Sequence, residues 1–301
     1  MTEKIDNYKK TSLDFFSNGY RCRGDLYTPN GSQDPPIVIM AHGFAAERAF
    51  RLPAYAEKFV QAGLAVYLFD YRSFGDSEGE PRNYVDHRRH NQDWSAAIDH
   101  VRSLPGINPQ KIALWGTSFS AGHVILSAAR DEHISAIVLQ VPHVDSFTTI
   151  QKLGLRYVLQ AIPHGIWDIF RAITRRSPHY IRVIGSPDEF AALNTAETLP
   201  GYSAIIPEGS AWENKCPGRI ALTFPFYRPI ASASKVKCPA LIMLAENDSL
   251  IDPKSVEKTA ARMPNSTLIR YPYGHFDIYN GVAFEEAVGK QTEFLEKQLC
   301  S

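Results

Sequence analysis

The sequence predicts an α/β protein with a mostly parallel sheet flanked by helices and interrupted by a helical insertion. Three observations carry this prediction. Short apolar runs rich in β-branched residues alternate with stretches of helical apolar spacing. The runs lack strict apolar–polar alternation, as strands buried on both faces do. Between two of them lie residues 142–238, far more chain than one crossover helix needs.

In chain order, TSLDFF (11–16) and YRCRGDLY (20–27) read as an antiparallel hairpin at the sheet edge. The parallel series follows: PIVIMAHG (36–43), LAVYLFD (64–70), KIALWG (111–116) and ISAIVLQV (134–141), with room for a crossover helix between runs. After the insertion come PALIMLAE (239–246) and STLIRYPY (266–273). The insertion holds two apolar helix-like stretches, LGLRYVLQAI and GIWDIFRAI, with a break expected at Pro163 between them. An aromatic, proline-rich part ending LTFPFYRPI closes it. The expected division is a core of residues 1–141 and 233–301 and an inserted helical cap of residues 142–232.

Lys+Arg and Asp+Glu each number 32, so the formal net charge is zero, which argues against nucleic acid or an anionic membrane as the main partner. Cys22, Cys216, Cys238 and Cys300 show no C-x-x-C spacing and fit reduced thiols. The start, MTEKIDNYKK, is polar and lacks the apolar run of an export signal. No stretch approaches the roughly 18 consecutive apolar residues of a membrane span. The expected setting is cytoplasmic, with no nucleic acid and no membrane span.

The stretch LWGTSFSAGH (114–123) reads almost as the G-x-S-x-G turn that presents a nucleophilic serine, except that Ser120 replaces the second glycine. Such a pattern has meaning where a strand turns sharply into a helix. KIALWG supplies the strand, and SAGHVILSAAR continues with helical spacing. Ser118, two residues after Gly116, would stand at the top of the sheet, whereas Ser120 would sit in the first helical turn as a small packing residue.

A serine hydroxyl needs a base, and the base needs an orienting acid. In folds that use this turn the chain order is serine, acid, histidine. LIMLAENDSLIDP offers Glu246, Asp248 and Asp252 after a strand. Asp252 precedes Pro253 and reads as a helix N-cap, and Glu246 sits too early, which leaves Asp248. The base is His275, in the loop after the last strand, within YPYGHFDIY. His87 and His90, in DHRRHNQD, read as a solvated helical face, and His123 as packed inside the elbow helix. His133, His164 and His179 have no ordered partner motif. Oxyanion donors should be the amide of Phe119 and, from the AHGF loop (41–44), the amide of Phe44, with Gly43 permitting close approach and His42 shaping the loop.

AHGF, FDYRSFGDSEGEPR (69–82), WGTSFSAGH and YPYGHFDIY together resemble the α/β-hydrolase superfamily over nearly the full chain. More narrowly, GTSFSAGH, QVPHVD (140–145) and GHFDIY look like a bacterial group related to fungal polyketide transferases and thiohydrolases. The resemblance implies an eight-stranded, mostly parallel sheet with a cap inserted after the sixth strand. It implies no metal and no cofactor, and Ser118, Asp248 and His275 as a triad. The function expected is hydrolysis of a small-molecule carboxylic ester or thioester through an acyl-enzyme. Acyl transfer from a carrier- or coenzyme A-bound acyl group, a peptidase and an inactive binding protein are the alternatives. In the cap, Tyr157, Trp167, Phe170, Phe224 and Phe226 are candidates to line an acyl pocket or to form the cap's own core, and an amphipathic helix there could instead dock on lipid.

Overall fold

The β-branched runs pair as their composition requires. The computed structural model describes residues 7–300; part of the polar start read above therefore lies outside the described residues. β1 (Tyr8–Ser12), β2 (Phe15–Ser17), β3 (Tyr20–Cys22) and β4 (Gly24–Pro29) open the chain, followed by β5 (Ile37–Ala41), α1 (Leu52–Gln61), β6 (Ala65–Phe69), α2 (His87–Arg102), β7 (Ile112–Thr117), α3 (Phe119–Ala128) and β8 (Ala136–Gln140). Next come α4 (Ser146–Ile173), β9 (Tyr180–Ile181), α5 (Thr198–Ser203), β10 (Cys216–Pro217) and α6 (Ile220–Thr223). The chain closes with β11 (Ala240–Ala245), α7 (Pro253–Arg262), β12 (Ser266–Tyr271) and α8 (Gly281–Leu299).

Eight strands form the main sheet in the order β1-β4-β6-β5-β7-β8-β11-β12. β1 and β4 join it antiparallel, and every pairing from β6 to β12 is parallel. All residues of β5, β6, β7, β8 and β11 are buried, because helices cover both faces. α1 and α8 pack together on one side, while α2 packs on α3 on the other. The expected edge hairpin is arranged differently: β2 and β3 pair as a separate ribbon, and the sheet's edge strand is β1, against β4.

The chain leaves the sheet after β8 and returns at β11. Asp145 begins this excursion by capping α4 through the amide of Phe147 (3.1 Å) and pairing with Arg228 (2.8 and 2.9 Å). The break expected at Pro163 is not there. α4 runs through Pro163 and kinks at Gly154, whose φ of 82° suits glycine. Pro163 and Leu159, whose carbonyl the proline leaves without a donor, both sit on the exposed side of the helix, which lessens the cost. Asp168, fully buried, accepts from Arg219 and from the amide of His179 (2.8 Å), tying α4 to the rest of the excursion.

A buried polar chain connects α8 to the sheet beneath the site. The Trp115 indole donates to Gln291 Oε1 (2.7 Å), Gln291 Nε2 donates to Gln140 Oε1 (2.7 Å), and Gln140 Nε2 donates to Thr117 Oγ1 (3.2 Å). Inside a core such a chain stabilises only when complete. Gln291→Ala leaves the Trp115 N–H and the Gln140 carbonyl unpaired, so it should lower stability by about 2–4 kcal/mol. Urea unfolding measures this, and a loss below ~0.5 kcal/mol would contradict it.

Candidate active site

The site is built where β7 becomes α3. Ser118 joins them with φ 54° and ψ −120°, backbone angles that cost energy in a residue other than glycine. Three backbone bonds hold it there. Its amide donates to the Gln140 carbonyl (2.9 Å), and its carbonyl accepts from the amides of Ala121 (3.1 Å) and His143 (3.0 Å). The turn also needs a bare position at Gly116, where a Cβ would stand 2.7 Å from the Ser120 carbonyl oxygen.

Ser118 Oγ lies 3.1 Å from His275 Nε2, and His275 Nδ1 lies 2.6 Å from Asp248 Oδ2. Asp248 Oδ1 accepts from the amides of Leu250 and Ile251, both at 2.8 Å, which fixes the carboxylate. Asp252 caps α7 through the amide of Ser255 (3.2 Å). Burial alone would lower the proton affinity of His275, but the Asp248 charge and hydrogen bond, with Glu197 behind them, outweigh it, so its pKa lies above 6.5.

Ser120 occupies a different place. It is buried, and its hydroxyl shares a 2.7 Å hydrogen bond with Tyr71, which also accepts from the Trp94 indole (2.9 Å). The serine that breaks the motif thus has a polar partner of its own. His90 is a correction to the sequence reading. It is buried, stacked on Tyr71 with ring centroids 4.1 Å apart, with Nδ1 3.3 Å from His123 Nε2. Burial first, then the neighbouring imidazoles, push both far below 6.5, so this pair is neutral. The inner face of α2 carries His90, Asn91 and Asp93 beside Trp94, which hides it from a reading by apolar spacing. His164 and His179 also have a partner after all: each other, at 2.7 Å.

The AHGF loop reaches the serine from β5. A Cβ on Gly43 would stand 3.1 Å from the Ser118 Cβ, so the two backbones approach closely. The Phe119 amide is the first of α3 and has no carbonyl one turn behind it within the helix. The Phe44 carbonyl is held by the Tyr202 hydroxyl (3.0 Å), a bond from α5.

Ser118 opens into a cavity of about 530 Å³. Tyr157, Phe224 and Phe226 line it, together with Val158, Ile162 and Leu222 and the rings of Phe44 and Phe119. Trp167 and Phe170 do not. They lie on the outer face of α4, 44% and 46% exposed, stacked on each other at 5.3 Å. The face of α4 opposite to them carries Ala161, Gly165 and Asp168. Two residues that the sequence reading missed stand near Ser118, His275 and Asp248. His143 lines the cavity, with Nε2 2.8 Å from Ser146 Oγ, and burial pushes its pKa down to about 4. Glu197 accepts from the amides of Ser249 (2.7 Å) and His275 (2.9 Å). Among the described residues no cluster of side chains suits a metal ion, and no helix is long and apolar enough to cross a membrane.

The Ser120–Tyr71 bond generates a prediction. Ser120→Ala should cost about 1 kcal/mol of stability while leaving the Ser118–His275 contact in place. Thermal unfolding together with a crystal structure of the variant checks both, and an altered Ser118 conformation would contradict the second.

Residues 18–167 match the family model of the X-Pro dipeptidyl-peptidase (S15 family). The chain is 35% identical to the quorum-quenching protein AidA of Acinetobacter baumannii, over 99% of this chain and 98% of that one. It is 28% identical to thiohydrolase aneE of Aspergillus aculeatus, over 98% and 96% of the two chains. Its fold superposes on the crystal structure of the α/β hydrolase GrgF from Penicillium with a TM-score of 0.82, at 22% identity, covering 97% of this chain and all of that one. With this sheet order, this strand–serine–helix turn and a full-length relationship to AidA, the chain belongs to the α/β-hydrolase superfamily.

Proposed function

We propose that the protein is a serine hydrolase that cleaves an oxoester or thioester of an apolar acyl group. The observation that carries this reading is the line Ser118–His275–Asp248, with contacts of 3.1 and 2.6 Å, opening on an apolar cavity. His275 Nε2 takes the Ser118 proton as Oγ attacks the acyl carbonyl. The amides of Phe44 and Phe119 receive the oxyanion, and Asp248 stabilises the imidazolium. The tetrahedral adduct collapses, the leaving alcohol or thiol departs with the proton from His275, and an acyl-serine remains. His275 then takes a proton from water as the water attacks the acyl-serine, and returns it to Ser118 Oγ as the adduct collapses, releasing the carboxylic acid and restoring the serine.

The cavity lining favours acyl substrates over peptides. A dipeptidyl substrate presents an ammonium group, which needs a carboxylate to receive it. The lining residues include no Asp or Glu. The name of the relative aneE, a thiohydrolase, supports including thioesters. The four cysteines, all free, support a reducing, cytoplasmic setting.

Release of p-nitrophenol from acetyl to decanoyl esters tests the proposal. Rates should rise with chain length until the acyl group fills the cavity. Ser118→Ala and His275→Ala should each lose at least about 10³-fold in kcat, with Ser120→Ala retaining most activity. Undiminished turnover in Ser118→Ala would refute it. Because the base must be neutral and its pKa is raised, kcat/KM should climb with pH through a midpoint above 6.5. A midpoint below 6.5 would contradict the assignment of His275.

A further inference from the structure

One carboxylate beside the acid and the base has no part in the reaction as proposed. Glu197 comes from the excursion between β8 and β11, next to α5, yet both of its oxygens bond to residues of the two loops that carry Asp248 and His275. Oε1 accepts from the amide (2.7 Å) and hydroxyl (2.5 Å) of Ser249, the residue after Asp248. Oε2 accepts from the amide of His275 (2.9 Å). Thr195 supports the same contact, with its hydroxyl 2.7 Å from Ser249 Oγ. Gly274 leaves room for the carboxylate: a Cβ there would stand 2.5 Å from Oε2.

We propose that Glu197 is a positioning residue that clamps the acid loop and the base loop in register and adds negative charge behind His275. The clamp rests on the hydrolase reading for its effect on rate, but not for its effect on the imidazole. At their bases the two loops are already joined, where Asn247 donates from its amide to the Tyr273 carbonyl (3.0 Å) and from its side chain to that of Pro272 (3.1 Å). At their tips, where Asp248 and His275 sit, Glu197 bonds to the backbone of both loops. A shift of about 1 Å between those tips would break a contact whose geometry the proton transfer requires.

The clamp also acts electrostatically. The groups facing His275 are Asp248, Glu197 and the neutral His143, with Asp277 bonded to the Gly274 amide and Lys152 near the Asp248 carbonyl. Tyr279 lies beyond them, its pKa pushed up to about 12 by burial. Of these, Asp248 and Glu197 favour the imidazolium. Removing the charge of Glu197 therefore weakens proton binding at His275. The ordering effect and the charge effect can be separated, because they enter different measurements.

Glu197→Gln keeps the size and removes the charge, and its amide must turn an N–H toward one of the donors it formerly accepted from. The ¹⁵N resonances of His275 should then titrate at lower pH than in the wild type, and the acid limb of kcat/KM should move the same way. kcat should fall about tenfold or more while KM changes less than about threefold. Glu197→Asp, which keeps the charge, should return the His275 midpoint toward the wild-type value while kcat stays low. Ser249→Ala, which removes one hydroxyl and no charge, should lower kcat several-fold and leave the midpoint in place. A merely structural glutamate would lower the unfolding temperature without moving the midpoint, and that result overturns the proposal, as does wild-type kcat in Ser249→Ala. If the wild type turns over no ester, the hydrolase reading fails, and the His275 titration in Glu197→Gln still decides the clamp.

Discussion

The site depends on one backbone conformation that its own residue does not favour. Ser118 holds φ 54° because β7 ends and α3 begins on either side of it. Left-handed or bridging angles in a residue with a Cβ persist only where the surroundings over-determine them. Here the surroundings are identifiable. The Gln140 carbonyl and the amides of Ala121 and His143 hold the Ser118 backbone, and the missing side chain at Gly116 lets the Ser120 backbone pack against the strand end. Gln140 in turn belongs to the buried chain that runs through Gln291 to Trp115. The turn that exposes the serine is thus anchored in the interior of the sheet.

From this anchor the remaining groups follow by sheet topology. β5 and β8 flank β7, and β11 and β12 continue beyond β8, so the loops after β5, β7, β11 and β12 gather at one end. Ligand sites in parallel α/β sheets lie outside the carboxyl ends of the strands for this reason. Each loop brings one component: the AHGF segment, Ser118, Asp248 and His275. The excursion after β8 then roofs the serine with apolar side chains and sends Glu197 back between two of these loops. The excursion thus contributes much of the cavity lining and, through Glu197, a bond to each of the loops that carry Asp248 and His275.

All six apolar runs of the parallel series became strands; five are buried throughout, which marks their composition, and the sixth, β12, is a half-exposed edge strand. That Ser118, Asp248 and His275 come together was legible because each follows its own strand, and their order along the chain is itself a constraint. The excursion was harder to read. Trp167 and Phe170 are as aromatic as Phe224, but which face of α4 meets the cavity is set by the kink at Gly154 and by the buried Asp168, neither of which periodicity reveals. His90 was misread because its helix buries polar groups that satisfy one another, and a hydrophobic pattern cannot register such a face. Glu197 had no local signal at all. Its partners lie 52 and 78 residues away, and only the fold brings them together.

The central claim is that Ser118 is a nucleophile activated by His275. The most direct test is to treat the folded protein with a fluorophosphonate and map the adduct by peptide mass spectrometry. The account predicts one phosphonylated residue, Ser118, formed at a rate that collapses in His275→Ala. An adduct on Ser120, or labelling of Ser118 that is indifferent to His275, would contradict it.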